Sequence, residues 1–128
     1  MVGIVLVSHS ASLARGLAEL IVQVAGADVC VVAAGGAPDG GLGTSGDRVS
    51  SAIKRADHGD GVVVLGDLGS AFLTVRQVLD DLDRNGAVRV ADAPLVEGAV
   101  AAAVSASMGA AVDDVVRAAE EARGVRKL

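Results

Sequence analysis

The chain has 128 residues, 52% hydrophobic and 1% aromatic, with 11 Lys or Arg against 16 Asp or Glu and a formal net charge of −5. That length suits one domain over residues 1–128, with a core of Val, Leu, Ile and Ala. The acidic balance and the absence of Trp and Tyr argue against a nucleic-acid partner, which requires a basic footprint and rings on which bases can stack.

In chain order, residues 3–8 (GIVLVS) form a short, continuous apolar run, the pattern of a strand buried on both faces in a parallel sheet. A helix is predicted over 11–25, with Leu13, Leu17, Leu20, Ile21 and Val24 inward. Residues 29–34 (VCVVAA) read as a second buried strand, followed at 35–46 by a long Gly-rich loop of the kind that tends to be functional. Thr44 or Ser45 then caps a helix to about residue 56, with Val49 and Ile53 inward.

Residues 61–66 (GVVVLG) give a third buried strand. A helix over about 70–84 turns Phe72, Val75, Leu79 and Leu82 inward and Asp80, Asp81, Asp83 and Arg84 outward, and Asn85-Gly86 ends it. Residues 87–92 alternate as an edge strand does. An Ala-rich helix at about 96–108 and a polar-faced helix at about 112–123 complete the chain.

This order predicts an α/β fold of three layers: a mainly parallel four-stranded sheet, order 2-1-3-4, with helices on both faces. Ligands of such sheets bind beyond the carboxyl ends of the strands where the order reverses. His9 ends the first strand and Asp67 follows the third, so the two are expected to share one crevice.

Neutral imidazole is a good nucleophile, and a free imidazole is mostly neutral near pH 7. The helix that starts after His9 offers free N–H groups and a positive dipole end to an anion, worth roughly 0.3–1 kcal/mol to a phosphoryl group on the ring. The hydroxyls of Ser8 and Ser10 are candidate donors to its oxygens. Asp67 can hold the other ring nitrogen as N–H and so fix the tautomer. The N–H groups of Gly69 and Ser70 offer a second anion cradle, and Gly43 and Thr44 are expected to close over the site.

The single cysteine, Cys30, precludes an internal disulfide, fits a reducing compartment and is expected to be a small buried group. His58, in a polar turn, reads as a solvated loop residue. No apolar stretch reaches the ~20 residues of a membrane span. No basic segment precedes the first apolar run, so no signal peptide and a cytoplasmic location are expected. No ligand cluster for a metal is visible, and GGLGTSG lacks the lysine of a P-loop.

The stretch IVLVSHSASLARGL resembles the start of the mannose-type IIA domains of the phosphotransferase system (PTS). GTS at 43–45, LGDLGSA at 65–71 and APLVEGAVAAAVSASMGA at 93–110 extend the resemblance over essentially the whole chain. The last segment is similar to the dihydroxyacetone branch rather than the sugar-transporting branch. The resemblance implies a phosphoryl relay without a cofactor or metal of its own. His9 matches the family's phosphorylated histidine. It is expected to accept a phosphoryl group from phospho-HPr and pass it to ADP held on the kinase subunit DhaL, and the ATP formed serves dihydroxyacetone bound to DhaK.

Asp67 matches the histidine-orienting carboxylate, and Gly43, Thr44, Gly69 and Ser70 match positions around the phosphate. The ring nitrogen remote from Asp67 is the one implied to carry it. Family members are homodimers, and many carry fused HPr-like and enzyme I-like domains. None of these lies within the present residues, so a separate donor is expected. A docking collar of Leu13, Leu42, Leu68, Phe72 and Leu95 is expected around His9.

Alternatives within the family are a IIA component of a mannose-type sugar system and a regulatory phosphoacceptor. Outside it, a receiver phosphorylated on Asp67 would need an acidic pair after the first strand, where Ser8-His9 stands. A small metal chelatase would need further ligands, and only His58 and Cys30 are left. A pure interaction module would tolerate loss of His9.

Overall fold

The fold is described by a computed structural model for residues 1–82 and 87–128. Four strands form its centre: β1 (Gly3–Ser8), β2 (Val31–Gly35), β3 (Val62–Gly66) and β4 (Val88–Val90). All pair in parallel in the order β2-β1-β3-β4. The expected order is therefore observed, and the sheet is parallel throughout.

The central strands are apolar at successive positions because helices cover both faces. Ile4, Leu6, Val63 and Leu65 face one helical layer, formed by α1 (Ala11–Ala25), α4 (Leu95–Ser107) and α5 (Val112–Glu121). Val5, Val7, Val62 and Val64 face the other, formed by α2 (Gly46–Ala56) and α3 (Gly69–Asp81). Each of these fully buried aliphatic side chains stabilises the fold by roughly 1.5–3 kcal/mol relative to exposure. A short 3-10 turn at Ala122–Gly124 follows α5.

Two helices bury only part of their expected faces. In α1 the buried stripe is Ala14, Leu17 and Ile21, whereas Leu13, Leu20 and Val24 are exposed. In α3 it is Ala71, Val75 and Val78, whereas Phe72, Leu79 and Leu82 are half-buried. In both cases a small alanine, not its larger neighbour, takes the position closest to the sheet. That turns the buried stripe by roughly half of the 100° between successive residues, while Leu17, Ile21 and Val75 stay inward as expected. Val49 and Ile53 of α2 are buried as expected.

Helix α3 stops at Asp81, with Leu82 extended, so it is shorter than the expected run to 84. Asp80 and Asp81 are not buried; the expectations for Asp83, Arg84, Asn85 and Gly86 fall outside the described residues. Strand β2 starts two residues later than expected, at Val31, and β4 spans only Val88–Val90. Cys30 is half-buried rather than buried, its Sγ 3.9 Å from the Arg55 carbonyl oxygen. His58 is exposed. Among the described residues, no helix is long and apolar enough to cross a membrane.

Candidate functional site

Strands β1 and β3 are neighbours, and the chain leaves both at the same edge of the sheet. The pairing continues one step past the strands: the Asp67 N–H donates to the Val7 carbonyl at 3.1 Å. That bond sets Asp67 beside Ser8 and His9. The chain turns into α1 directly after His9 because Ser10, in extended backbone, caps the helix with its hydroxyl oxygen, accepting from the Leu13 N–H at 3.2 Å.

The Asp67 carboxylate accepts four hydrogen bonds. Oδ1 takes the His9 Nδ1–H at 2.9 Å and the Leu68 N–H at 2.7 Å. Oδ2 takes the Ser8 hydroxyl and the His9 backbone N–H, each at 2.9 Å. This fills the acceptor capacity of an ionised carboxylate. Burial alone would raise its pKa. The donors from His9, Leu68 and Ser8 outweigh burial and hold the carboxyl below its ordinary value.

An ionised Asp67 requires a proton on Nδ1 of the ring, so in the neutral ring it is Nε2 that carries the lone pair. Nε2 lies 2.7 Å from the Ser70 hydroxyl, which then donates to it. The imidazole is thus aimed by an acid on one side and met by a hydroxyl on the other, with 26% of its side-chain surface still open to solvent. A nucleophilic nitrogen with a fixed tautomer, on a partly exposed ring and covered only by a rotatable hydroxyl, suits group transfer between proteins.

Two helix N-termini converge here. Ser70 is the second residue of α3, and neither its N–H nor that of Gly69 has an acceptor among the described residues. Ala11 and Ser12 open α1 in the same way. The free N–H groups and dipole ends favour an anion beside Nε2.

The other expected residues are nearby but differ in what they contact. Ser8 is fully buried, and its hydroxyl is spent on Asp67 while its oxygen accepts the Ser10 N–H at 3.0 Å. It therefore braces the acid instead of facing a ligand. The Gly43 N–H donates to the His9 carbonyl at 2.8 Å, so it holds the histidine backbone and is not turned toward the crevice. Gly43 has φ +138, a conformation that L side chains rarely adopt. The Thr44 hydroxyl pairs with that of Thr74 at 2.7 Å, tying the Gly-rich loop to α3.

Sequence reasoning missed Thr74. Its spacing of four from Ser70, which puts the two on one helical face, was the signal that could have found it. Of the expected collar, Leu42, Leu68 and Leu13 are exposed, whereas Phe72 and Leu95 are half-buried and less accessible to a partner. Among the described residues, no group of three or more His, Cys, Asp or Glu is placed to hold a metal ion.

Residues 3–116 match the family model of the PTS system fructose IIA component, EIIA-man. The chain belongs to the mannose-type IIA family.

A relative in Klebsiella michiganensis, the phosphoryl donor subunit DhaM of a PEP-dependent dihydroxyacetone kinase, is 41% identical over 133 aligned positions. The alignment covers 100% of this chain and 28% of that protein. The chain spans little more than a quarter of the length of this and similar long relatives. A second relative, the DhaM subunit of dihydroxyacetone kinase 2 in Listeria innocua, is 40% identical, with 81% of this chain and 85% of that one covered. A crystal structure of a protein of unknown function, EF1359, superposes with a TM-score of 0.85 at 33% identity, covering 94% of this chain and 93% of the other. The mannose-type IIA fold thus sets the frame in which His9 and Asp67 meet.

Proposed function

We propose that this chain is a phosphohistidine carrier of the DhaM kind, with His9 and Asp67 as its catalytic pair. The observation that carries the reading is the His9 ring, whose Nδ1–H is held by Asp67 and whose Nε2 meets the rotatable hydroxyl of Ser70 at the start of α3. The Ser70 hydroxyl turns from Nε2 to a phosphoryl oxygen, and the freed lone pair of Nε2 attacks phosphorus on phospho-HPr. A new N–P bond forms, and the N–P bond to the donor histidine breaks, returning an electron pair to that ring. His9 then carries the phosphoryl group on Nε2 and keeps its proton on Nδ1, so the ring is cationic and paired with the Asp67 carboxylate.

The N–H groups of Gly69 and Ser70, the hydroxyls of Ser70 and Ser10 and the opening of α1 stabilise the phosphoryl oxygens, with the Gly43–Thr44 loop alongside. In the second half-reaction a β-phosphate oxygen of ADP on the kinase subunit DhaL attacks phosphorus, and the N–P electron pair returns to Nε2. The ATP formed would then serve dihydroxyacetone on DhaK. The reading includes a single domain over residues 1–128, a homodimer, a cytoplasmic setting and no cofactor or metal. The relatives named as phosphoryl donor subunits favour a kinase acceptor over a sugar transporter.

The test is to incubate the chain with phosphoenolpyruvate, enzyme I and HPr, and to locate the added phosphate by mass spectrometry. The label is expected on His9, stable in base and lost in acid. It should be absent from His9→Ala and discharged by DhaL carrying ADP. Label on Asp67, or on no residue, would overturn the reading.

A further inference from the structure

Strand β2 is an open edge of the sheet. Ile4 N–H donates to the Cys30 carbonyl at 2.8 Å and Gly36 N–H to the Ser8 carbonyl at 3.1 Å, so even-numbered residues of this segment bond to β1. By the alternation of a parallel ladder, the N–H and C=O groups of Val31 and Ala33 point away from the sheet, where they meet no partner among the described residues. Both residues are half-buried and reachable. An unpaired edge of this kind is a template for another extended chain.

The surroundings of this edge are basic in a chain whose net charge is −5. A trough of about 480 Å³ runs along β2 between α1 and α2, lined by Arg15, Arg48 and Arg55. A second depression of about 480 Å³ shares Arg15, Ala33 and Arg55 and continues it toward the start of β2. Arg15 stands on the α1 side. Arg48 and Arg55 stand on the α2 side, two turns apart, or about 10 Å along the helix.

Arg48 donates from Nη1 to the outward carbonyl of Gly35 at 2.8 Å, capping the upper end of the edge. None of the three arginines has an ion-pair partner among the described residues. By contrast, Arg89, Arg117, Arg123 and Lys127, on the opposite side of the fold, each pair with a carboxylate. Asp47 and Glu19 also border the trough, so three cations face two anions there.

We propose that this edge docks an extended acidic segment of a partner protein, which adds as a fifth strand beside β2. The added backbone pairs with Val31 and Ala33. Its carboxylates, alternating between the two faces of the strand, reach Arg15 on one side and Arg48 and Arg55 on the other. A neutral or basic strand would leave the excess positive charge of the trough unmatched. The trough begins at Ala11 and Gly35, directly beside Ser10, so the body of a partner held there would lie over the His9 crevice. The proposal does not depend on phosphoryl transfer at His9.

A short fluorescent peptide repeating Val-Val-Glu-Glu, which places glutamates on both faces of a strand, is the probe, with the same repeat carrying lysine for glutamate as control. Anisotropy should show binding of the glutamate peptide only, and hydrogen exchange at the Val31 and Ala33 amides should slow on binding. Arg15→Glu with Arg55→Glu should weaken binding about tenfold or more, whereas Arg15→Lys with Arg55→Lys, which keeps the charge, should retain it at an unchanged thermal midpoint. Equal binding of both peptides, or binding without protection of those two amides, would overturn the proposal. So would concentration-dependent protection of the amides without peptide, which would assign the edge to a second copy of this chain.

Discussion

Both oxygens of Asp67 are committed to His9, Oδ1 to the ring Nδ1–H and Oδ2 to the backbone N–H, each at 2.9 Å. One carboxylate therefore fixes where the residue sits and which way its ring faces. Asp67→Asn keeps the size but replaces one acceptor oxygen with an NH₂ donor, opposing either the ring N–H or the backbone N–H. The imidazole is expected to move its proton toward Nε2, and acceptance of the phosphoryl group from phospho-HPr should fall by about 100-fold or more. Nitrogen NMR of the ring reads the tautomer directly. An unchanged Nδ1–H form with a normal transfer rate would refute this role.

The same carboxylate has its pKa held below the ordinary 3.8, because the donors from His9, Leu68 and Ser8 outweigh burial. A folded-state pKa lower than the unfolded one means that the contribution to stability is fully present above the ordinary value. It is lost as pH falls through the lower, folded value. The part of the stability difference between the wild type and Asp67→Asn that comes from this carboxyl's own titration should thus persist above about pH 4 and shrink below it. Denaturant titrations across that range, with carbon NMR of the Asp67 carboxyl, provide the check. A midpoint at or above the ordinary value would contradict the hydrogen-bond account.

Two glycines separate a packing requirement from a helix penalty. A Cβ on Gly35 would lie 2.5 Å from the Ser10 carbonyl oxygen and 2.8 Å from the Ala11 Cα, both backbone atoms. Gly35→Ala should push the start of α1 off β2 and cost about 2–4 kcal/mol. Gly16, exposed in α1, has nothing within 4 Å of the position a methyl group would take. Gly16→Ala should therefore stabilise by about 0.5–1 kcal/mol. Urea midpoints of the two variants should move in opposite directions.

Leu42 and Leu68 are 84% and 61% exposed and lie one residue from Gly43 and Asp67 respectively. If donor docking uses this rim, Leu42→Ala with Leu68→Ala should raise the KM for phospho-HPr about 30-fold, each truncation costing an interface anchor about 1 kcal/mol. Because neither side chain is buried, the thermal midpoint should not change. A normal KM would remove both leucines from the docking surface.

The strand order and the meeting of His9 with Asp67 were legible because they follow from general constraints. Apolar runs separated by helical patterns give a parallel sheet, and adjacent strands in that sheet end side by side. Helix faces were less legible. Leu13, Leu20 and Phe72 outrank Ala14 and Ala71 in hydrophobicity, yet close approach to the sheet favours the small side chain. Side-chain hydrogen bonds were the least legible. Ser8 looked like a ligand donor, but its inward direction at the end of a buried strand gives its hydroxyl to Asp67. Nothing in the spacing of Gly43 indicated that its N–H would hold the His9 carbonyl.

Every group that positions the imidazole belongs to the stretch from Val7 to Thr74: the ends of β1 and β3, the starts of α1 and α3, and the Gly-rich loop. Helices α4 and α5 donate no hydrogen bond to it and act as a roof over Leu6 and Leu65. Chemistry and shelter are thus carried by separate halves of the polypeptide. The roof is free to be rebuilt with other small-residue helices, and so to acquire new neighbours, while the working corner keeps its form.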